Sequence, residues 1–422
     1  MSVADRLAGA LAPVVRGELP VHLTAWDGST AGPEDAPHVH LRSPDALRRI
    51  LWHPGELGAA QAYVSGDLDV DGDLDTALTQ VWSVVRERGL AEVRPTPATL
   101  ARLLRTAREL GTLGRPPQPP ASQAKIRGRL HSLARDRSSI SHHYDLSNDF
   151  YALILDPSLA YSSAYFTTED MSLADAQRAK LDLVCTKLGL RPGMRFLDVG
   201  CGWGSLSLHA AQEYGVTVTG VTIAAEQKRF IDQRIVERGL SGRVEIRLQD
   251  YREVADGPYD AVASIEMGEH VGQANYPTYV EALRRNVAPG GRVLVQQMSR
   301  PGKNGGKHPG GGPFIESFIA PDMHMRPVGE TVSMIEDGGL EVRDVHALRE
   351  HYVRTVAAWI DTFEANQDRV LELVGPEVAR VWRLYLVGGA MAFRDGRMGV
   401  DQILAVRPDD DGRSGMPWVR DW

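Results

Sequence analysis

Met194-Arg195-Phe196-Leu197-Asp198-Val199-Gly200-Cys201-Gly202-Trp203-Gly204-Ser205 is the stretch on which the reading of the chain turns. An apolar run suited to a buried strand breaks into glycines at three alternate positions, and Leu206 to Ala211 then opens as a helix. Strand, glycine turn and helix start make a nucleotide-binding corner, because glycine lets the main chain approach a ligand and a helix N-terminus offers free N–H groups. Gly200, Gly202 and Gly204 read G-x-G-x-G, whereas dinucleotide sites read G-x-G-x-x-G. The spacing favours S-adenosylmethionine over NAD. A glycine triplet alone would also fit an ordinary turn of an α/β protein, so the flanking elements decide.

Four more apolar runs follow: Val216 to Val221, Arg243 to Leu248, Tyr259 to Ile265, and Gly291 to Gln297 entered through Ala288-Pro289-Gly290-Gly291. Helical patterns separate them, the alternation of a doubly wound parallel sheet. Gly339 to Val345 and Gln402 to Val406 read as the last two strands, the final one antiparallel. The fold class expected is α/β: a Rossmann-like class I methyltransferase with a seven-stranded, mostly parallel sheet and a small N-terminal α+β domain. Ligands of such sheets sit outside the carboxyl ends of the strands.

At 422 residues the chain exceeds one typical domain. Residues 1–110 read as an accessory domain, with strand-like Val21-His22-Leu23 and His38-Val39-His40-Leu41 and a helix starting at Ser43-Pro44-Asp45. Residues 111–124 form a proline-rich linker that cannot continue a helix, and residues 125–422 the catalytic domain. A hydrophobic content of 43% with 24% charged residues suits a soluble globular protein. With no apolar run of transmembrane length and no signal peptide, the cytoplasm is the expected compartment. Cys185 and Cys201 are too few for a disulfide framework or a zinc cluster, and no metal site is expected.

The net charge of −8 argues against a nucleic-acid partner. Between Glu92 and Arg137, however, ten cations face three acids, so that segment is +7 and the remainder −15. Within it Leu100, Leu103, Leu104 and Leu110 fall near helical spacing between arginines. Thr99 to Leu110 could lie on an anionic surface, or be a solvated helix whose leucines face the core.

Ser141-His142-His143-Tyr144-Asp145-Leu146-Ser147-Asn148-Asp149-Phe150-Tyr151 and Tyr161-Ser162-Ser163-Ala164-Tyr165-Phe166 are dense in polar and aromatic residues, as a lid over a ligand would be. Together with Leu197 to Gly204, Thr222-Ile223-Ala224-Ala225-Glu226-Gln227 and Glu269-His270-Val271-Gly272, they occur in the order and spacing of one family. Over its last two-thirds the chain resembles the cyclopropane-fatty-acyl-phospholipid synthases, which include the mycolic acid methyltransferases. Its first domain resembles the extra domain of the phospholipid-acting members.

The resemblance implies methyl transfer from S-adenosylmethionine to the cis double bond of an unsaturated phospholipid acyl chain, through a carbocation. Loss of one proton then gives a cyclopropane ring, or after a hydride shift a 10-methylene branch, the precursor of tuberculostearic acid. Tyr161, Ser162, Asp198, Gly200, Cys201, Gly202, Trp203 and Gly204 would hold the methionine part of the cofactor. Thr222 and Gln227 would meet the ribose, and Asp250 and Tyr251 the adenine. The family's base is a bicarbonate ion; Glu269 and Tyr352 match its glutamate and tyrosine at that site, with His270 beside them. Ser163 stands where the family has cysteine and Gln296 where it has histidine, so the anion would have altered donors, and the 10-methylene branch is favoured. The resemblance further implies peripheral association with a membrane surface and allows a homo-oligomer.

Arg300 to Phe314, with Lys303 and Lys307 among glycines, reads either as a lid touching phosphate head groups or as a surface loop. Trp359, Phe363, Trp382, Tyr385 and Phe393 read either as an acyl tunnel or as core, on helices from Val353 to Phe363 and Val378 to Phe393 that cover the sheet. Two other classes remain in view: a methyltransferase of a small-molecule substrate, with a polar or shallow pocket, and a non-enzymatic binding module.

Overall fold

The structure, a computed structural model, describes residues 1–90, 96–124, 147–303, 306, 308–420 and 422. It divides into two compact units, Met1–Gln123 with Val374–Met391, and Ala124–Leu373 with Ala392–Trp422. The proline-rich stretch expected as a linker thus groups with the first unit. So does most of Val378–Phe393, expected to cover the large sheet. That segment follows a break in the helix Gln367–Arg394, where Gly375 turns to φ 75°, ψ 168° ahead of Pro376.

In the first unit, β1 (His22–Thr24), β2 (Thr30–Ala31), β3 (His38–Leu41) and β4 (Leu68–Val70) form a sheet in the order β2-β1-β3-β4. Ser43 caps the helix Pro44–Trp52, as its Ser-Pro-Asp start predicts. Leu7, Leu23, Leu41, Ala46 and Ala62 close a small core. The helix Pro97–Glu109 buries Ala107 but leaves Leu100 and Leu104 exposed beside the exposed Arg102, Arg105 and Arg108, so these two leucines do not face a core. Glu92, Arg94 and the stretch from Lys125 to Arg137 lie outside the described residues.

In the second unit, β5 (Arg195–Val199), β6 (Thr217–Thr222), β7 (Val244–Leu248), β8 (Tyr259–Ile265), β9 (Val287–Ser299), β10 (Glu341–Ala347) and β11 (Gly399–Val406) form a seven-stranded sheet ordered β10-β11-β9-β8-β5-β6-β7. β5 to β9 pair in parallel, and β11 runs antiparallel between β9 and β10. Side chains alternate across the sheet. On β5, Phe196 joins the core beneath the helices Leu173–Leu188 and Ser205–Glu213, while Leu197 and Val199 join the opposite core with Tyr276, Tyr279 and Leu283. β9 starts earlier than expected, because Val287 already pairs with Tyr259 and the Ala288–Gly291 turn is absorbed as an irregularity in the ladder. The order of crossovers reverses between β5 and β8, which makes their carboxyl ends the switch point where such sheets bind ligands.

The segment after β9 is partly built in. Asn304, Gly305 and Lys307 lie outside the described residues, but Pro313–Phe318 is a short helix that buries Phe314 and Phe318. Among the described residues, no helix is long and apolar enough to cross a membrane.

Candidate active site

The carboxyl end of β5 runs straight into the glycine turn, where Gly200, Gly202 and Gly204 take φ values of 79°, 53° and 80°. These left-handed conformations suit glycine far better than other residues. The capping residue Gly204 brings no side chain to the start of the helix Ser205–Glu213 that follows, and of the first-turn N–H groups that of Ser207 is taken by the Asp198 carboxylate. The cleft over this turn encloses about 1220 Å³, counting its open mouth.

Eleven of the twelve expected cofactor residues line that cleft: Tyr161, Ser162, Asp198, Gly200, Cys201, Gly202, Trp203, Thr222, Gln227, Asp250 and Tyr251. Gly204 does not. A Cβ there would lie 2.8 Å from Ile231 Cγ2, so its smallness serves helix packing. Thr222 Oγ1 donates to Gln227 Oε1 (2.9 Å), which leaves the Gln227 NH2 as the group able to donate to a ribose hydroxyl. Asp250 is already engaged by Arg252 Nε (2.7 Å) and Nη2 (2.8 Å), a pairing the sequence reading did not anticipate. Trp203 Nε1 donates to Asn148 Oδ1 (2.9 Å) and its ring lies 4.5 Å from Tyr151, so the Ser147–Tyr151 motif packs onto the glycine turn. His143 to Leu146 of that motif lie outside the described residues.

The expected catalytic residues fall differently. His270 lines the cleft, whereas Glu269, Ser163, Gln296 and Tyr352 do not. Ser163, Gln296 and Tyr352 instead converge on Glu266, which does line it and which the sequence reading passed over. Glu266 Oε1 accepts from the Ser163 main-chain N–H (2.9 Å) and from Gln296 Nε2 (2.8 Å), and Oε2 accepts from the Tyr352 hydroxyl (2.8 Å). Glu269 is buried outside the cleft lining, and its carboxyl accepts from its own main-chain N–H and, at 3.4 Å, from Met298 N. The signal for Glu266 was an acid placed directly at the carboxyl end of an apolar strand at the switch point.

Lys180 was passed over as well. It sits on the same stripe as Ala176 and Val184, both buried, and its Nζ donates to Ser162 Oγ (2.7 Å) in the cleft wall. Burial lowers its ammonium to about 8, although the charges of Glu266, Asp156 and Asp198 work the other way. Burial also raises Asp198 to about 6, against a 2.6 Å hydrogen bond from Ser207 Oγ and the charge of Lys180. Burial holds His270 down at about 4, hence neutral at physiological pH. Burial, and then the Glu266 charge, push Glu269 up to about 8. Cys201 is kept a thiol by burial, consistent with packing.

None of the five helical aromatic residues, read as either tunnel or core, lines the cleft. Trp359, Phe363 and Phe393 are core residues, Trp359 reaching the cleft at one remove with its ring 5.4 Å from that of Tyr161. Trp382 and Tyr385 belong to the first unit, where their rings pack edge to face at 5.5 Å.

A seven-stranded sheet with one antiparallel strand and a glycine turn at its switch point define a class I S-adenosylmethionine-dependent methyltransferase. Residues 131–403 match the family model described as mycolic acid cyclopropane synthetase, and the chain belongs to that family. It is 37% identical over 413 residues to a "Probable fatty acid methyltransferase" of Mycobacterium tuberculosis, covering 96% of this chain and 95% of the relative. It is 34% identical to the tuberculostearic acid methyltransferase of the same organism, covering 96% and 91%. Among solved structures, the mycolic acid cyclopropane synthase CmaA1 complexed with SAH and CTAB matches 64% of this chain and 97% of its own at 32% identity, with a TM-score of 0.60.

Proposed function

We propose that this protein methylates the cis double bond of unsaturated acyl chains in membrane phospholipids, giving a 10-methylene or cyclopropane product, and that its second unit is the catalytic domain. The observation that carries this reading is the joining, at one pair of strand ends, of a donor cleft with a buried carboxylate beside an apolar wall of Leu159, Ile265, Met267 and Val271. An alkene is a weak nucleophile, so catalysis rests on alignment and on exclusion of water that would trap a cation. S-adenosylmethionine supplies an electrophilic methyl group. Tyr161 and Ser162 would position its methionine part, with Ser162 fixed by Lys180, and Gln227 would hold its ribose. Once the new carbon–carbon bond forms, the positive charge lies on the acyl chain. A base must then take a proton from it, and which proton leaves decides between ring and methylene. The similarity to a tuberculostearic acid methyltransferase supports the methylene outcome.

Access from a membrane surface is supported by the exposed Leu100 and Leu104 between Arg102, Arg105 and Arg108, which suit an anionic bilayer. The test is incubation with S-adenosylmethionine and oleoyl phospholipids followed by mass spectrometry of the fatty acids. A gain of one CH2 unit is expected, with NMR telling ring from methylene; unchanged lipids would refute the reading.

A further inference from the structure

Three residues that the family resemblance places around a bicarbonate ion are instead bonded to a carboxylate of the chain itself, Ser163 through its main chain. Ser163 N–H, Gln296 Nε2 and Tyr352 O–H all bond to Glu266, at 2.9, 2.8 and 2.8 Å. Carboxylate and bicarbonate present the same planar O–C–O unit, so one set of donors can serve either but not both. A free bicarbonate would also be a second anion beside Glu266, whose carboxyl burial already raises despite the Lys180 charge. The residues present therefore do not fit the ion.

Two further features indicate that the carboxylate is placed deliberately. Glu266 holds φ 49°, a left-handed conformation that a residue with a Cβ adopts only at a cost. Such strain persists where the surroundings impose it, commonly at functional sites. The orientation of Gln296 is fixed as well: Gln402 Nε2 donates to Gln296 Oε1 (3.0 Å), turning the Gln296 NH2 toward Glu266.

We propose that Glu266 is the proton acceptor of the reaction, built into the chain in place of bicarbonate, and that turnover needs no bicarbonate. This rests on the function proposed above. After methyl transfer, a C–H bond of the methylated, cationic acyl chain breaks. Its electron pair forms the ring bond or the C=C bond, and its proton goes to the carboxylate. Oε1 already accepts two hydrogen bonds and Oε2 one, so Oε2 keeps the lone pair that receives the proton. Burial raises the Glu266 carboxyl above the ordinary range, against its three hydrogen bonds and the Lys180 charge, a direction that suits a base working near neutral pH.

The experiment compares the full-length enzyme in carbon-dioxide-free buffer with the same enzyme given bicarbonate, scoring CH2 gain on oleoyl phospholipid. Equal rates within about twofold are expected. Glu266→Gln should lose a factor of about 100 or more in turnover, the scale of a lost general base, while SAH binding by calorimetry stays within about twofold. In Glu266→Gly, which relaxes the backbone and vacates the donors, added bicarbonate or formate should raise the residual rate at least about tenfold. A wild-type rate that falls about tenfold without bicarbonate, or a Glu266→Gln enzyme keeping more than about a tenth of its activity, overturns the proposal. Should the variants fail to fold, the bicarbonate response of the wild type decides alone. Wild-type enzyme that methylates no lipid refutes the substrate reading instead, so the two failures are distinguishable.

Discussion

Glu269→Gln separates what the motif implies from what the structure shows. The resemblance makes Glu269 catalytic, so its loss should abolish turnover. In the structure Glu269 lies outside the cleft wall, with its carboxyl pushed to about 8 by burial and by the Glu266 charge. The groups facing it are Glu266, the Met298 N–H and the Arg326 guanidinium. At neutral pH it therefore carries a proton, and glutamine imitates that form. The folded carboxyl titrates at about 8 and the unfolded one at 4.5, so between these values the unfolded chain binds fewer protons than the folded one. Stability consequently falls as pH rises through this window, by at most about 1.4 kcal/mol per unit. Glu269→Gln should flatten that decline. Denaturant unfolding of both proteins at intervals from pH 5 to 8.5 measures it, and the variant should gain relative stability steadily toward the alkaline end. Parallel stability curves would refute the argument. So would loss of turnover to below about a tenth of wild type with SAH binding intact, which would return Glu269 to the catalytic list.

Four other outcomes follow from the geometry. Lys180→Met removes a charged hydrogen bond to Ser162 worth about 1.5–3 kcal/mol, so the Kd for SAH should rise about ten- to a hundredfold by calorimetry. Gln402→Leu frees the Gln296 amide to turn; kcat should fall about tenfold, about 1.4 kcal/mol, with the SAH Kd unchanged, and an equal loss in both would mark general damage. The base must be ionised, so kcat should decline on the acid side through a midpoint above 4.5, set by Glu266 in the presence of Lys180, Glu269 and Tyr352; a midpoint at or below 4.5 would contradict its burial. Leu104→Glu should weaken co-sedimentation with anionic vesicles severalfold without altering SAH binding, and undiminished sedimentation would exclude this helix from the contact.

The large sheet was legible because each strand is an apolar run ended by a polar or glycine punctuation, and β5 with its three glycines fixed the cofactor edge. The unit boundary was less so, although Gly375-Pro376 inside an apolar helical pattern is a break signal that the reading of Val378–Phe393 as sheet cover overlooked. The aromatic residues of those helices could not be sorted into tunnel and core, since helical spacing gives a face but not what that face meets. The catalytic centre failed for a different reason. Motif matching assigns one role to one position, so Ser163 and Gln296 read as two separate departures that weaken an anion site. In the folded chain the Gln296 side chain and Glu266 are two parts of one change, while Ser163 contributes only its main-chain N–H and turns its hydroxyl to the Ala164 carbonyl. The partners of Glu266 lie 103 residues before it, 30 after and 86 after, and no local pattern links them. A position whose backbone favours glycine carries an acid instead, and that acid brings the negative charge that the altered donors would otherwise have to recruit from solution. The glutamine that looks like loss at a single position is, taken with Glu266, a condition for holding a carboxylate where it can meet a cation on the substrate.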